Sequence, residues 1–174
     1  MLDVKTVTWF LMTLMLMGFF AGIEMAFYSV NRLDIELKKK QGKASGEILH
    51  HFIENPVHFL GTTLVGFNLL LVFFGLQISE VMRPLWNFGH LPGVVRILVE
   101  IAISTLLVII LAEFIPRAIF RARNNSILSR FSHVISFFYQ VFYPIAAAFI
   151  TISNWVIKYL FNIRVDEKKE AFSR

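Results

Sequence analysis

The chain has 174 residues, of which 56% are hydrophobic, 15% are aromatic and only 17% are charged. Soluble domains carry about 25% charged residues, so the composition excludes an ordinary soluble protein and favours an integral membrane protein. The net charge is +5, but the basic residues flank apolar runs without nucleic-acid-binding spacing, so no nucleic acid partner is expected. Cysteine is absent, which excludes disulfides and thiolate metal sites and leaves oxygen or imidazole ligands for any metal.

Three apolar runs are long enough to cross the roughly 30 Å hydrocarbon layer as helices. They lie at about residues 7–28, 57–80 and 97–115. The polar stretch from Leu33 to Asn55 predicts two juxtamembrane helices, and the whole pattern predicts an all-α fold. Pro56 suits the first turn of the second span, and Pro116 is expected to end the third.

A fourth apolar stretch, at 131–161, contains Pro144 and several polar residues. It fits a fourth span, a broken hairpin or an amphipathic helix lying in the interface. Fourteen of the 17 lysines and arginines lie after the first span, after the third span and in the C-terminal tail. The positive-inside rule then predicts an N-terminus outside the cell membrane and a cytoplasmic C-terminus. A fourth crossing would place the basic tail outside, so we favour a cytoplasmic-side interfacial or re-entrant belt helix bent at Pro144.

Polar side chains in the three spans are predicted to lie at a similar depth. Glu24 and Glu113 are near the cytoplasmic ends of the first and third spans, and Asn68 is well inside the second. An ionisable group in the bilayer costs about 2.5 to 3.5 kcal/mol on insertion scales and usually has a function. Carboxylate, amide and carbonyl oxygens are ligands of Mg²⁺, and a cation would relieve the repulsion between two buried acids.

Backbone oxygens extend this candidate site. Pro116 has no N–H to donate to the carbonyl of Ala112, so that oxygen is expected to be free beside Glu113. Gly18 and Gly22 permit close backbone approach or local unwinding of the first span, which makes the Gly22 carbonyl a further candidate ligand. The alternative interpretation is that the acids snorkel or form packing hydrogen bonds and that Asn68 holds two helices together.

Three segments of the chain resemble the signature segments of the transmembrane domain of the CorC / cyclin M (CNNM) family of magnesium transporters. They read GFFAGIEMAFYSVNR (18–32), TTLVGFNLL (62–70) and LAEFIPR (111–117), and the resemblance covers nearly the whole chain in order. It implies a homodimer with three transmembrane helices per subunit, which exports Mg²⁺ in exchange for Na⁺ from an inward-facing site. It also implies that residues 1–162 are the transmembrane domain and that 163–174 begin a linker to a cytoplasmic ATP-binding CBS pair and a C-terminal domain.

The family's site residues can be placed on this sequence one by one. Its first-motif acid falls on Glu24, its serine on Ser29, its second-span asparagine on Asn68 and its glutamate before the proline on Glu113. The chain departs from the family where it has Ile23 for a serine, Phe67 for an asparagine and Arg117 for a lysine, which removes two oxygen donors and keeps the charge after Pro116.

Two other functions are weighed against transport. One is a non-transporting membrane module that binds a cation structurally or anchors a cytoplasmic regulatory domain. The other is an intramembrane hydrolase, which the sequence disfavours because it has no nucleophile elbow, Ser-Lys dyad or His-x-x-x-His metal pair. The chain is therefore expected not to be an enzyme.

Overall fold

The computed structural model describes residues 4–86 and 92–160, and every regular element in these residues is helical. The all-α prediction is therefore confirmed. The predicted linker, 163–174, lies outside the described residues, as does the last residue of the predicted 131–161 segment. The elements in chain order are α1 (Val4–Ser29), α2 (Arg32–Lys40), α3 (Ala44–Glu54), α4 (Pro56–Trp86), α5 (Gly93–Leu107), a π-helix (Val108–Phe114), α6 (Ile115–Ala122) and α7 (Asn124–Leu160).

Four helical stretches among the described residues are long and apolar enough to cross a membrane: Val4–Ser29, Pro56–Pro84, Gly93–Ala122 and Asn124–Tyr159. The first three contain the predicted spans, and the polar stretch between the first two forms the predicted pair of helices, α2 and α3. The chain is thus a multi-pass membrane protein. The count of three spans and the interfacial placement of α7 stay predictions, because α7 also has the length of a span.

Proline 144 lies inside α7 without interrupting it. A proline inside a helix has no N–H, so the carbonyl four residues earlier, that of Gln140, loses its helical donor. A hairpin broken at this position is therefore wrong, since the helix continues on both sides. The bend at Pro144 stays a prediction.

The helix that contains the third predicted span continues past Pro116, where the sequence predicts its end. The helices α5 and α6 and the π-helix between them form one stretch, Gly93–Ala122, which we call the third rod. Pro116 does not stop it, because this proline lies in the first turn of α6, where a helix needs no N–H. Just before it, the Ile115 N–H donates to the carbonyl of Ile110, five residues back, as in a π-helix.

The first helix lies at the centre of the packing. It contacts α4, α6, α7 and the π-helix, and 50% of the residues in its most apolar stretch are buried. One apolar cluster joins Ile23 of α1 to Phe52 of α3 and Phe59 of α4. A second joins Met17 of α1 to Ala112 of the π-helix. Polar groups that face α1 consequently lie against a tightly packed helix.

Candidate functional site at the contact of the first helix and the third rod

Two of the predicted acids meet on one guanidinium. Nη2 of Arg117 lies 3.8 Å from Oε2 of Glu24, and Nη1 of Arg117 lies 3.3 Å from Oε2 of Glu113. The side chains of the two acids are 29% and 31% exposed, so each is only partly open to its surroundings. The structure therefore brings together Glu24 of α1 with Glu113 and Arg117 of the third rod. We call these three residues the acid–arginine cluster.

Close packing of α1 on the third rod explains why these side chains meet. A Cβ atom at Gly18 would lie 2.8 Å from Cγ of Pro116, and one at Gly22 would lie 2.6 Å from Cγ of Phe120. Only glycine lets the two rings approach this closely. The predicted close approach is confirmed, whereas α1 stays a continuous α-helix, so the alternative of local unwinding is wrong.

The π-helix supplies the backbone of the site. Ala112 lies inside it and is fully buried, and its carbonyl oxygen lies 3.8 Å from the place that a Cβ on Gly18 would take. This oxygen faces α1 within one turn of Glu113. Turns of π-helix inside longer helices often mark functional sites. The ligand roles predicted for Ala112 and Gly22 stay predictions.

A cavity of about 310 Å³ opens beside the cluster. A water molecule occupies about 30 Å³ in the liquid, so this volume accommodates a cation together with several waters. The lining combines the carboxylate of Glu113 and the cationic Arg117 and Arg121 with apolar side chains. We call this space the acid cavity.

Asn68 and Ser29 lie away from the acid–arginine cluster. Asn68 is exposed, its Nδ2 donates to the carbonyl of Leu64 at 2.8 Å, and it lines a groove between α4 and α7. The Ser29 hydroxyl donates to the carbonyl of Met25 at 2.7 Å, and the Ser29 carbonyl accepts from Nδ2 of Asn124 at 2.7 Å. Among the described contacts, none joins either residue to Glu24 or Glu113, and their roles as ligands stay predictions.

The two apolar departures from the family pattern are packing residues. Ile23 is 1% exposed and belongs to the apolar cluster around Phe59, while Phe67 packs against the cluster that contains Met17. A serine at position 23 would therefore place its hydroxyl in an apolar core. Both residues therefore contribute to packing.

Oxygen chemistry limits what the cluster can bind. In the part of the chain that the structure describes, no group of three His, Asp or Glu residues is placed to hold a metal. A cation at Glu24 and Glu113 would complete its shell with backbone oxygens and water. Mg²⁺ suits such a site, since it usually keeps several waters and takes one or two carboxylates.

The ion pairs of Arg117 are the feature that sequence reasoning missed. The spacing of Glu113 and Arg117, four residues apart on a helix, is a signal that predicts their contact. The approach of Glu24 has no such signal, because it depends on the packing of α1 against the third rod.

A polar network near the ends of α2 and α7 was also missed. Lys38 donates to Oδ1 of Asn125 and to Oγ of Ser129, and Nδ2 of Asn125 donates to Oδ2 of Asp34 at 2.9 Å. Burial lowers the pKa of Lys38, Asp34 opposes this shift, and Lys43 adds to it. From the sequence, the three adjacent lysines are interpreted as topology signals and lipid headgroup contacts, and nothing in their pattern separates Lys38 from its neighbours.

Comparison with known families identifies the domain to which these helices belong. Residues 8–174 match the model of the cyclin M transmembrane N-terminal domain. No curated protein sequence matches the chain. The family match covers nearly the whole chain and coincides with its membrane-spanning helices. The chain therefore belongs to the cyclin M (CNNM) transmembrane domain family.

Proposed function

We propose that this domain transports Mg²⁺ across the cell membrane, with Glu24 and Glu113 binding the ion from two different helices. The observation that carries the proposal is the acid–arginine cluster, in which two partly buried carboxylates on α1 and the third rod share one guanidinium beside the acid cavity. Membership of the cyclin M family supports the choice of ion. The carboxylate pair and the space for retained waters suit a hard divalent cation.

Arg117 acts in this proposal as an internal cation. Its guanidinium carries one positive charge, so it offsets part of the negative charge of Glu24 and Glu113 whenever no ion lies between them. A divalent ion gains more Coulomb energy from two carboxylates than a monovalent guanidinium does, so binding turns Arg117 away from the acids. The return of Arg117 then favours release. Exchange between two cations at the same acids avoids leaving two carboxylates facing each other.

We further propose Na⁺-coupled export from an inward-facing site, with the N-terminus outside and the C-terminus cytoplasmic. The distribution of basic residues supports this orientation. A homodimer through the transmembrane helices is consistent with the third rod, since only 6% of the residues in its most apolar stretch are buried within one chain. A cytoplasmic CBS pair and a C-terminal domain are expected to complete the protein.

Magnesium flux into or out of liposomes tests the proposal. Glu24→Gln and Glu113→Gln each keep the shape of the side chain and remove its charge, so each is expected to lower Mg²⁺ flux at least tenfold. Glu80→Gln is the matched control, because Glu80 is an exposed glutamate on α4 with no ion pair to the cluster. Unchanged flux in Glu113→Gln, at unchanged folding, refutes the role of that residue.

The sodium dependence separates the two functions under consideration. A coupled transporter moves Mg²⁺ faster when a Na⁺ gradient is imposed in the opposite direction. A non-transporting module binds Mg²⁺ without any such flux. The ion pairs of Arg117 with both acids are the observation that favours the second function, because they hold the cluster together without any ion.

A further inference from the structure

A seam between α4 and α7 contains two cavities that follow one another along the same pair of helices. The first, which we call the polar pocket, has a volume of about 350 Å³ and is lined by His51, Asn55, His58, Tyr139, Gln140 and Tyr143. The second, which we call the apolar groove, has a volume of about 540 Å³ and begins at Gly61 and Ile145. His58 and Gly61 are only one helical turn apart, so the two cavities are neighbours along α4.

The length of the apolar groove matches one leaflet of a bilayer. Along α4 it runs from Gly61 to Val72, which corresponds to about 16 Å at 1.5 Å per residue. Half of the roughly 30 Å hydrocarbon core is about 15 Å. The polar pocket lies where α3 meets the start of α4, at the end of the groove where we expect the headgroups of that leaflet.

The walls of the apolar groove suit an acyl chain. Leu64 is 56% exposed, Val72 is 64% exposed and Phe149 is 61% exposed within the chain, so large apolar side chains border open space. Gly61 contributes no side chain, and a Cβ there would come within 3.4 Å of Ile150. One N–H of the Asn68 amide already donates to the carbonyl of Leu64 in its own helix.

The polar pocket offers hydrogen-bond donors without any lysine or arginine in its lining. The rings of His58 and Tyr143 stack with centroids 5.5 Å apart, and those of His51 and Tyr139 lie edge to face at 6.1 Å. Imidazole N–H, phenol O–H and amide N–H groups can donate to phosphate oxygens. A lining without lysine or arginine suits a headgroup whose phosphate charge is balanced within the same molecule.

One residue that lines the pocket also has a backbone carbonyl that lacks its helical donor. Pro144 cannot donate to the carbonyl of Gln140, and Gln140 lines the polar pocket. A backbone carbonyl without its helical donor gains from an N–H partner, because an unpaired acceptor in a membrane is costly. A primary ammonium supplies N–H donors, whereas a quaternary ammonium supplies none.

We propose that the seam between α4 and α7 is a binding site for phosphatidylethanolamine. The phosphate accepts hydrogen bonds from the side chains of the polar pocket, the primary ammonium donates to the Gln140 carbonyl, and one acyl chain lies in the apolar groove. The site is separate from the acid–arginine cluster and does not depend on ion transport.

Native mass spectrometry of the 174-residue chain, taken from liposomes with equal phosphatidylethanolamine, phosphatidylcholine and phosphatidylglycerol, tests the proposal. The chain is expected to retain phosphatidylethanolamine over phosphatidylcholine by about tenfold, the effect of one charge-assisted hydrogen bond. Pro144→Ala restores the N–H four residues after Gln140 and is expected to abolish this preference. Pro84→Ala is the matched control, because it makes the same change inside α4, far along the chain from the pocket.

Further variants keep the proposal testable if Pro144→Ala misfolds. His58→Phe preserves an aromatic ring against Tyr143 but removes the imidazole N–H, and it should reduce retention of both zwitterionic lipids. Leu64→Trp fills the groove and should reduce retention of all three lipids. Equal retention of phosphatidylethanolamine and phosphatidylcholine by the unmodified chain overturns the proposal, and so does an unchanged preference in Pro144→Ala.

A second copy of the chain is the competing occupant of the groove. The chain has no cysteine, so Leu64→Cys carries a single thiol. With a phospholipid in the groove, the Leu64→Cys chain stays monomeric under mild oxidation, and its thiol is protected from a water-soluble maleimide. Rapid formation of a disulfide dimer shows that a second copy covers the groove, and it overturns the proposal.

Discussion

The first helix and the third rod are both apolar and long enough to span a bilayer, yet the rest of the chain covers them very differently. Half of the residues in the most apolar stretch of α1 are buried, against 6% in the third rod. Lipid is as apolar as leucine, so hydrophobicity alone does not drive one membrane helix against another. Small residues decide instead, and α1 has Gly18, Ala21, Gly22 and Ala26 where it packs.

This difference assigns distinct roles to the two sides of the acid–arginine cluster. Glu24 lies on a helix that four other elements hold in place, whereas Glu113 and Arg117 lie on a rod that meets α1 along one face. A substitution in α1 should therefore change the fold, and one in the third rod should change mainly the site. The following predictions test that division, from the largest expected effect to the smallest.

Truncation of one side chain in each element should distinguish α1 from the third rod most clearly. Met17→Ala removes a fully buried side chain of α1 and is expected to cost about 2 to 5 kcal/mol of unfolding free energy. Leu106→Ala removes a side chain of the third rod that is 62% exposed and should change stability by no more than about 0.5 kcal/mol. Unfolding in mild detergent measures both, and equal losses contradict the division. Weaker self-association in Leu106→Ala alone would support a dimer contact on the third rod.

The face on which the two helices meet should tolerate no added volume. Gly22→Ala places a Cβ against Phe120, and overpacking of this kind is expected to cost about 1 to 3 kcal/mol. Gly75→Ala is the control, since nothing lies within 4 Å of a Cβ there, and it should be neutral or stabilising. Adding Phe120→Ala to Gly22→Ala should cost less than the sum of the two single changes. Strict additivity in this cycle argues against the close contact.

Removal of the guanidinium tests the charge shared across the contact. Arg117→Gln leaves Glu24 and Glu113 without their internal cation, so Mg²⁺ should bind roughly tenfold more tightly, an effect of about 1.4 kcal/mol. Flux should fall, because nothing then favours release. Titration calorimetry with Mg²⁺ measures the affinity, with the exposed Arg123→Gln as control. Weaker binding in Arg117→Gln would show that Arg117 organises the site instead of competing for it.

The juxtamembrane helix α2 offers a test outside α1 and the third rod. Lys38→Met removes donors to Asn125 and Ser129 and should lower the unfolding free energy by about 1 kcal/mol. Lys39→Met, at an exposed position next in sequence, should have little effect. Thermal unfolding in detergent compares them. Equal stability of the two variants means that the network contributes nothing.

The pH dependence of the same lysine should be the smallest effect. Burial lowers the pKa of Lys38, so the folded chain releases the Lys38 proton at a lower pH than the unfolded chain does. In the window just below the ordinary pKa of 10.5 the unfolded state binds more protons, and stability should rise with pH there. Unfolding curves across this window measure the slope, which Lys38→Met should remove. If the slope of unfolding free energy against pH is the same in Lys38→Met, the slope comes from other titratable groups.

Local patterns in the sequence predicted most of the fold. Length and apolarity located three spans and the pair α2 and α3, and Pro56 marked the start of α4, because each of these depends on neighbouring residues only. The helix of the third predicted span was expected to end at Pro116, but it continues to Ala122. A proline signals a break when an α-helix precedes it, and here the preceding turns are π-helical.

The candidate site was predicted in part. An acid in an apolar run is visible in a sequence, so Glu24 and Glu113 were both found, and the structure brings them within reach of one side chain. Depth along a span fixes only the height of a residue and not its direction around the helix. Asn68 was therefore expected beside the acids, whereas it faces the groove with α7.

The π-helix sets the direction in which α6 presents its side chains. Each residue of an α-helix turns the chain by about 100°, so a shift of register by one residue before Ile115 rotates all of α6 by that angle. Arg117 would then leave the two acids, and the ring of Phe120 would leave the hollow over Gly22. The contact between α1 and the third rod thus requires one particular rotation of α6 about its axis. Insertion or deletion of a single residue in Val108–Phe114 is enough to disrupt this contact.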